Sequence, residues 1–188
     1  FDPTGRMLRV PDADGRASYT SVFGMMRYDS RNSTVHPSTG IVVQADYEYA
    51  PEVTPVDASL SRYGATAQGY VPVFTNDLIL AGRVAVAGVD GDRIPPHFLL
   101  SVGGNGTLRG STQDRYLDRV VAVTNGELRF PIYRRFGGVA GIDLGRVWPS
   151  LKHMGLTGWA MNPTAGLRFI METFVVRLDV GFGEETTG

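Results

Sequence analysis

The sequence predicts an all-β protein, an antiparallel transmembrane β-barrel, and three observations lead to that prediction. Small or apolar residues alternate with polar residues over long stretches, as they do in strands that have one dry and one wet face. No run approaches 18 consecutive apolar residues, so no transmembrane helix is expected. Tight turns alternate with longer connections along the chain, which is typical of outer-membrane barrels.

About eight strands are predicted, and many of them have nine residues or more. That is the length that a tilted strand needs to cross a bilayer, whereas strands of soluble proteins average about five or six residues. The predicted ranges are 18–29, 39–50, 58–74, 77–88, 117–133, 137–148, 160–172 and 173–183.

The first four strands place apolar residues at every second position, although the first of them is less regular than the rest. The apolar or small sets of the next three are Ile41, Val43, Ala45, Tyr47 and Tyr49; Tyr63, Ala65, Ala67, Gly69, Val71 and Val73; and Leu78, Leu80, Val84 and Val86. The intervening positions include Gln44, Asp46, Glu48, Arg62, Gln68 and Arg83. One face of each strand is therefore apolar and the other is more polar, although the second set of the strand at 77–88 also includes Ile79, Ala81 and Ala85.

The last four strands repeat this alternation. Their apolar or small sets are Val120, Ala122, Thr124, Gly126, Leu128, Phe130 and Ile132; Ala140, Ile142, Leu144 and Trp148; Leu167, Phe169 and Met171; and Leu178, Val180 and Phe182. Their opposing positions include Asn125, Glu127, Arg129, Asp143, Arg168, Arg177 and Asp179. Arg146 interrupts an apolar side near a strand end, where a long side chain can reach the membrane interface.

The connections alternate in length, which predicts a barrel with short turns at one rim and long loops at the other. Tight turns are predicted at 74–77, 134–137 and 171–173, and longer connections at 30–38, 89–116 and 149–159. Residues 1–16 are expected to be irregular, and residues 17–188 to form the barrel portion.

Composition excludes several classes of function. The net charge of −1 gives no reason to expect a nucleic-acid partner. The absence of cysteine excludes disulfides, thiolate metal sites and a cysteine nucleophile. The three histidines lie in separate loops without metal-ligand spacing, and no Gly-x-Ser-x-Gly elbow is present. The sequence therefore predicts no catalytic residue, no metal, no cofactor and no enzymatic activity.

A soluble β-sandwich or lipocalin-like barrel that binds a small apolar ligand also alternates, and it stays open as an alternative. Aromatic residues near strand ends favour the membrane version, because they can form an interfacial belt, although hairpin packing would also explain them. These residues are Trp148, Trp159, Tyr47, Tyr49, Tyr63 and Tyr70.

One loop segment carries a family pattern. Residues 103–111 read Gly-Gly-Asn-Gly-Thr-Leu-Arg-Gly-Ser, which resembles a Gly-Gly pair followed by Val-Arg-Gly-Phe/Tyr. Leu108 replaces the usual Val, and Ser111 replaces the usual aromatic residue. Segments 29–40, 125–131, 141–148 and 166–181 follow the family's other motifs in the same order. The chain thus resembles the C-terminal barrel portion of the BamA/TamA-type outer-membrane assembly proteins, also called the bacterial surface antigen family, over roughly residues 25–183.

The resemblance implies a sixteen-strand barrel, of which this chain would be a fragment or a half closed by another chain or a second copy. It also implies that the loop at 89–116 folds into the lumen. There Arg109 and Gly110 are expected to meet Glu127 and Asp143 on the inner wall. The loop glycines Gly103, Gly104 and Gly106 are expected to allow a tight loop with unusual backbone angles.

The function that the resemblance implies is assistance in the insertion or assembly of outer-membrane proteins, or polypeptide translocation. The expected location is the bacterial outer membrane, and the expected partners are the lipid bilayer and other outer-membrane or periplasmic proteins, with no nucleic acid. A secretion pore, or a barrel that carries an attached passenger domain such as a lipase, is the alternative.

Overall fold

A computed structural model of the chain describes residues 20–51, 59–91, 94 and 96–183. Ten strands are present within these residues: β1 Val22–Asp29, β2 Gly40–Ala50, β3 Leu60–Val73, β4 Thr75–Gly91, β5 Leu100–Val102, β6 Tyr116–Asp118, β7 Val120–Tyr133, β8 Phe136–Trp148, β9 Ala160–Ile170 and β10 Val175–Gly181. Two short 3₁₀ turns, Pro96–Phe98 and Leu151–His153, are the helical elements of the described residues. The all-β prediction is confirmed, while the segment predicted as irregular, 1–16, lies outside the described residues.

Eight of the strands form one antiparallel sheet in the order β1-β2-β3-β4-β7-β8-β9-β10. Each strand pairs with the next along the chain, except that β5 and β6 form a separate two-stranded hairpin between β4 and β7. The sheet is not closed, since β1 and β10 are each paired on one side only within the described residues. No helix in the described part of the chain has the length and apolar character needed to span a membrane.

The strand boundaries agree with the sequence prediction to within a few residues, apart from β4, which is longer than expected. It begins at Thr75 and runs to Gly91, so the connection predicted to begin at 89 begins later. The turn before β4 is a single residue, Phe74, whose φ is +62°, and the turn between β7 and β8 includes Arg134 at φ +51°. Both turns lie at the same rim. Because both turns are tight, the strands on either side extend almost to the turn itself.

The two faces of the sheet differ in polarity, as strict alternation requires. We call the face that carries Ile142 the apolar face; large exposed hydrophobic side chains cover it in every strand, among them Met26, Ile41, Val71, Val84, Ile132, Leu167 and Leu178. Within the paired register its two charged residues are Asp90 and Arg146, both near the rim of the long connections.

The opposite face, which carries Asp143, is the polar face. Twelve charged residues of the paired strands alternate onto it: Arg27, Asp29, Asp46, Glu48, Arg62, Arg83, Glu127, Arg129, Asp143, Arg168, Arg177 and Asp179. Because successive side chains of a strand face opposite sides, the sequence pattern accounts for the two charged residues on the apolar face and the twelve on the polar face.

Near the rim of the long connections, the polar face becomes apolar and is covered by the β5–β6 hairpin. Val102 and Leu108, both with 0% exposure, pack there against residues of β2, β3, β4 and β7. Residues from the sheet in this buried cluster are Ala50, Leu60, Val89, Val121 and Val123. Burial of this cluster fixes the hairpin, and the loop between its strands, against the sheet.

The connection from β1 to β2, residues 30–39, turns back at the rim of the short turns, so the prediction that the longer connections lie at the opposite rim is wrong for this one. Asp29 accepts hydrogen bonds from Arg31 Nε and Nη2 at 2.9 and 2.7 Å. The side chain of Asn32 accepts the backbone N–H groups of Ser38 and Thr39 at 3.0 and 3.2 Å. These local side-chain bonds replace the strand ladder and give the connection a defined shape.

The aromatic residues do not all occupy one belt. Tyr47 and Tyr49 are exposed on the apolar face, whereas Trp148 is only 2% exposed and makes an edge contact with Trp159 at 5.5 Å between ring centroids. Tyr70 departs from the belt hypothesis, because it lies on the polar face with the Arg129 guanidinium 5.3 Å from its ring centroid. Because successive residues of a strand face opposite sides, Tyr70 lies on the other face from its neighbour Val71. Its ring packs against the guanidinium of Arg129 on that face.

Candidate functional site

The candidate site is the contact between the loop that joins β5 to β6 and the polar face of the sheet. The loop reverses direction between Gly104 and Leu108, which form an isolated bridge, and the N–H of Leu108 donates to Gly104 O at 3.0 Å. The hairpin strands hold both ends of this loop, and Leu108 is anchored in the buried apolar cluster. The residue that follows, Arg109, is thereby directed onto the sheet.

Arg109 meets both carboxylates that were predicted for it. Its Nε and Nη2 donate to the two carboxylate oxygens of Asp143, each at 2.7 Å, and its backbone N–H adds a contact of 3.1 Å. Its Nη1 donates to Glu127 at 2.7 Å. This is a two-pronged arginine–carboxylate pair with a second acceptor on the third nitrogen, an arrangement that is strong and specific in geometry.

The three groups are buried. The exposed fractions are 6% for Arg109, 8% for Glu127 and 0% for Asp143. The hydrogen bonds to Asp143 raise the pKa of the Arg109 guanidinium above its ordinary value, in opposition to the effect of burial. Arg109 therefore stays charged, and removal of Arg109 would leave the buried Asp143 carboxylate without a compensating charge.

Further ion pairs extend this contact along the polar face. Arg129 donates to Glu127 at 3.0 Å, and Arg168 donates to Asp179 at 2.5 Å. Asp179 also lies 3.8 Å from Arg109, which links the loop to β10. The site is thus the centre of a charge network that joins β7, β8, β9 and β10 to the loop.

Two asparagines and one arginine hold the backbone of the loop, and the sequence interpretation did not single them out as site residues. Asn162 donates to Arg109 O at 2.7 Å and to Ser111 Oγ at 2.8 Å. Asn125 donates to Thr107 O at 3.0 Å and to Asp143 at 2.8 Å. Arg83 donates to Gly106 O at 3.1 Å. All three residues lie on the polar side of the sequence alternation, and that placement is the sequence feature that could have identified them.

The loop glycines differ from one another. Gly103 and Gly104 have φ of +142° and +79°, as the prediction of unusual backbone angles requires, but Gly106 does not, and a Cβ there would meet nothing within 4 Å. Gly110 has φ of +83°, and a Cβ at this position would overlap the backbone of Gly181 in β10. Gly110 therefore permits both the turn after Arg109 and the close approach of the loop to the sheet.

The guanidinium of Arg109 and the carboxylates of Glu127 and Asp143 form a structural contact, which we call the clasp. Arg109, Glu127 and Asp143 use their polar atoms on one another, and no nucleophile faces a general base among them. Among the described residues, no group of three or more His, Asp or Glu side chains is placed to hold a metal ion. The contact holds a loop on a sheet and presents no reacting group.

Comparison with known proteins agrees with this architecture. The model of the Omp85 superfamily domain matches residues 4–182. Among solved structures, BamA from Haemophilus ducreyi lacking POTRA domains 1–3 is similar, with a TM-score of 0.74 and 14% sequence identity. The likeness covers 89% of this chain and 39% of that chain, so this chain spans well under half of the BamA structure. No curated protein matches the sequence.

Proposed function

This chain belongs to the Omp85 superfamily, and from that membership we propose that it is part of a bacterial outer-membrane barrel that inserts other barrel proteins or moves polypeptides across the membrane. The proposed action is non-enzymatic and uses no cofactor. Its partners are the lipid bilayer and other outer-membrane or periplasmic proteins.

The apolar face is the observation that carries the membrane part of this proposal. Side chains such as Met26, Val84 and Leu178 are 80%, 50% and 65% exposed, and they stand among neighbours that are also apolar. An exposed apolar surface that extends across eight strands is costly in water and favourable in lipid. The backbone of a spanning segment must be hydrogen-bonded within the protein, and a continuous antiparallel ladder meets that need.

The same observation argues against a soluble barrel that binds an apolar ligand. Such a protein has its apolar side chains inside and its charges outside. Here the charged residues share the face that the loop covers, and the apolar residues are on the uncovered face. The arrangement is the inverse of the soluble one and matches a barrel with a polar lumen.

The proposed mechanism is strand addition. An exposed strand edge offers unpaired N–H and C=O groups to an incoming strand, which pairs by β-augmentation. The clasp at Arg109 supports this proposal in a mechanical way, because it braces the long loop against four strands of the wall. We propose that a braced wall holds its shape while a seam elsewhere in the whole barrel opens.

Insertion activity can be measured in liposomes that contain the full-length protein. A urea-denatured outer-membrane barrel is added, and its folding is followed by the appearance of a heat-resistant band on gels. We expect faster folding than in liposomes with the same mass of an unrelated barrel. Equal rates would refute insertion.

A second assay separates translocation from insertion. An unfolded soluble polypeptide is presented to the same liposomes, and its protection from added protease is measured. Protection with no increase in barrel folding would favour polypeptide translocation. An absence of both effects would contradict the proposed function as a whole.

A further inference from the structure

A cavity of about 210 Å³ lies beside the clasp, at the rim of the short turns, and four arginines are among its ten lining residues. Besides the hydroxyl of Thr34, its polar lining consists of four guanidinium groups, one imidazole and one phenol. These belong to Arg31, Arg129, Arg168, Arg177, His36 and Tyr70. No carboxylate lines it, although the three arginines that belong to the sheet form ion pairs with Glu127 or Asp179, which lie outside the lining.

The sheet places two of these arginines directly opposite each other. Arg168 of β9 and Arg177 of β10 are register partners on the polar face. Like charges in this position repel each other, and a stable sheet normally avoids them. Asp179 compensates in part, at 2.5 Å from Arg168 and 3.6 Å from Arg177. One carboxylate thus serves two cations.

Arg168 also retains unused hydrogen-bonding capacity. It is 5% exposed, and its Nη2 has no hydrogen-bond acceptor. A carboxylate oxygen of Glu127 lies 3.9 Å from that nitrogen, which is too far for a hydrogen bond. A buried guanidinium nitrogen without an acceptor is uncommon, and it marks a place where an acceptor is missing.

The charge balance on the polar face points the same way. Six arginines form ion pairs with four carboxylates in two separate sets, four arginines with three carboxylates and two arginines with one, so each set has an excess of one positive charge. The arginines are Arg27, Arg31, Arg109, Arg129, Arg168 and Arg177, and the carboxylates are Asp29, Glu127, Asp143 and Asp179. The excess is concentrated around the cavity, because the clasp itself holds one arginine between two carboxylates.

His36, in the connection between β1 and β2, lines the same cavity as these positive charges. Burial lowers the pKa of its imidazole, and the positive charges of Arg129 and Arg168 lower it further. The ring is therefore neutral at neutral pH. A neutral imidazole can donate one N–H to an anion, whereas the Tyr70 hydroxyl at the same wall already donates to Gln68 Oε1 at 3.0 Å.

We propose that this cavity binds a phosphate group, either as free inorganic phosphate or as the phosphate of a lipid headgroup. Arginine forks match the oxygens of a phosphate group, and several of them around one small cavity form a preorganised site. A doubly charged phosphate would offset the combined excess of the two sets and reduce the repulsion between Arg168 and Arg177. The inference does not depend on the proposed insertion activity.

Binding can be tested with the purified full-length protein folded in a detergent that contains no phosphate. Inorganic phosphate is titrated at constant ionic strength, and the heat of binding and the NMR titration of His36 are recorded. We expect saturable binding of one phosphate and an upward shift of the His36 pKa when the site is occupied. No saturable binding, or a His36 titration that phosphate leaves unchanged, would overturn the proposal.

The decisive variant is Arg177→Gln, with Arg135→Gln as its matched control. The Arg177 side chain is 54% exposed, and its loss also removes a like-charge pair, so the fold should be retained. Loss of one charged hydrogen-bond donor should weaken phosphate binding by about tenfold or more. Arg135 is exposed at the same rim outside this cavity, and its variant should bind as the wild type does. Equal weakening in both variants would mean nonspecific attraction and would refute the site.

A second titration distinguishes the two sources of phosphate. A short-chain phosphatidic acid below its micelle concentration replaces inorganic phosphate, with the same two variants. Tighter binding of the lipid, sensitive to Arg177→Gln, would identify a headgroup site. Binding of inorganic phosphate without binding of the lipid would identify a site for the free ion.

Discussion

Arg109 illustrates how a single residue can specify the position of a loop. Its guanidinium makes three hydrogen bonds of 2.7 Å to two buried carboxylates. The desolvation of three charges offsets much of the attraction between them, so the net stabilisation is smaller than the number of contacts suggests. Specificity is the larger gain, because no other position of the loop satisfies the buried Asp143.

Replacement of Arg109 should be severe for this reason. We expect Arg109→Ala to lower the free energy of unfolding by about 3–5 kcal/mol, because it leaves the Asp143 carboxylate buried without a cation, although Glu127 keeps Arg129. Urea unfolding in detergent, followed by tryptophan fluorescence, measures the change. Arg135→Ala, which removes an exposed arginine, should have an effect within about 0.5 kcal/mol. Similar losses in the two variants would contradict the buried role of Arg109.

The pairing itself is tested by a double-mutant cycle. Arg109→Ala and Asp143→Ala should each be destabilising, and the double variant should lose much less than the sum of the two, since the second substitution removes the orphaned charge. The three free energies of unfolding come from the same urea titration. Fully additive losses would show that the two side chains do not act as a pair.

The glycine after the arginine gives a comparison between two positions of one loop. Gly110→Ala should cost about 1–3 kcal/mol, because φ is +83° and the new Cβ would overlap the backbone of Gly181. Gly106→Ala introduces the same methyl group where it meets nothing within 4 Å, and should be nearly neutral. The midpoints of thermal unfolding of the two variants measure this difference. Equal midpoints would show that the close approach to β10 has no energetic consequence.

At the scale of elements, the β5–β6 hairpin is the feature that builds the site. Val102 packs closely over Gly145 of β8, where a Cβ would lie 2.6 Å from Val102 Cγ1. Leu108 fills the same apolar cluster with 0% exposure. The small residue on β8 therefore admits the hairpin, and Asp143, two residues earlier on the same face, receives Arg109.

Removal of the anchor should release the loop. Leu108→Ala should cost about 2–5 kcal/mol, because it creates a cavity in a fully buried cluster. It should also raise the rate at which trypsin cuts after Arg109 in the folded protein, since local opening would expose that bond. Leu156→Ala is the control, because Leu156 is 93% exposed in the connection before β9. A cutting rate that stays at the wild-type value would argue that the hydrogen bonds alone hold the loop.

The sequence predicted the eight long strands well and did not predict β5 and β6. A strand of three residues contains too little alternation to be distinguished from a loop. The pairing of Leu100 with Asp118 joins residues that are far apart in sequence, and nothing local determines that register. Long strands of β7 and β8, in contrast, contain the pattern that defines their two faces.

For the whole molecule, the separation of apolar and polar faces is the property with the widest consequences. Leu167 lies on the apolar face and is 51% exposed. We expect Leu167→Arg to destabilise the folded protein in lipid by up to about 2–4 kcal/mol, depending on its depth in the bilayer. Leu156→Arg, in an exposed connection, should be tolerated. Folding yield into lipid vesicles measures both, and equal yields would contradict a lipid-facing sheet.

Membrane association gives an independent test at the same scale. The protein should remain in the pellet when membranes are washed with alkaline carbonate, because we propose that its apolar face lies in hydrocarbon. Quantification of the protein in pellet and supernatant by immunoblot is sufficient. Release into the supernatant would mean that the apolar face is covered by protein and not by lipid.

The sequence by itself determined the fold class, the eight long strands and the side of the sheet on which their residues lie, because alternation is a local property with a period of two. Through its family pattern it also indicated Arg109, Glu127 and Asp143. Only the tertiary structure decided how Asn125 and Asn162 hold the loop, that Tyr70 lies beneath Arg129, and that Arg168 and Arg177 stand opposite each other beside a cavity. These features depend on the register between strands and on the path of a folded-back loop. Both are set by packing between distant parts of the chain, which no local pattern of residues encodes.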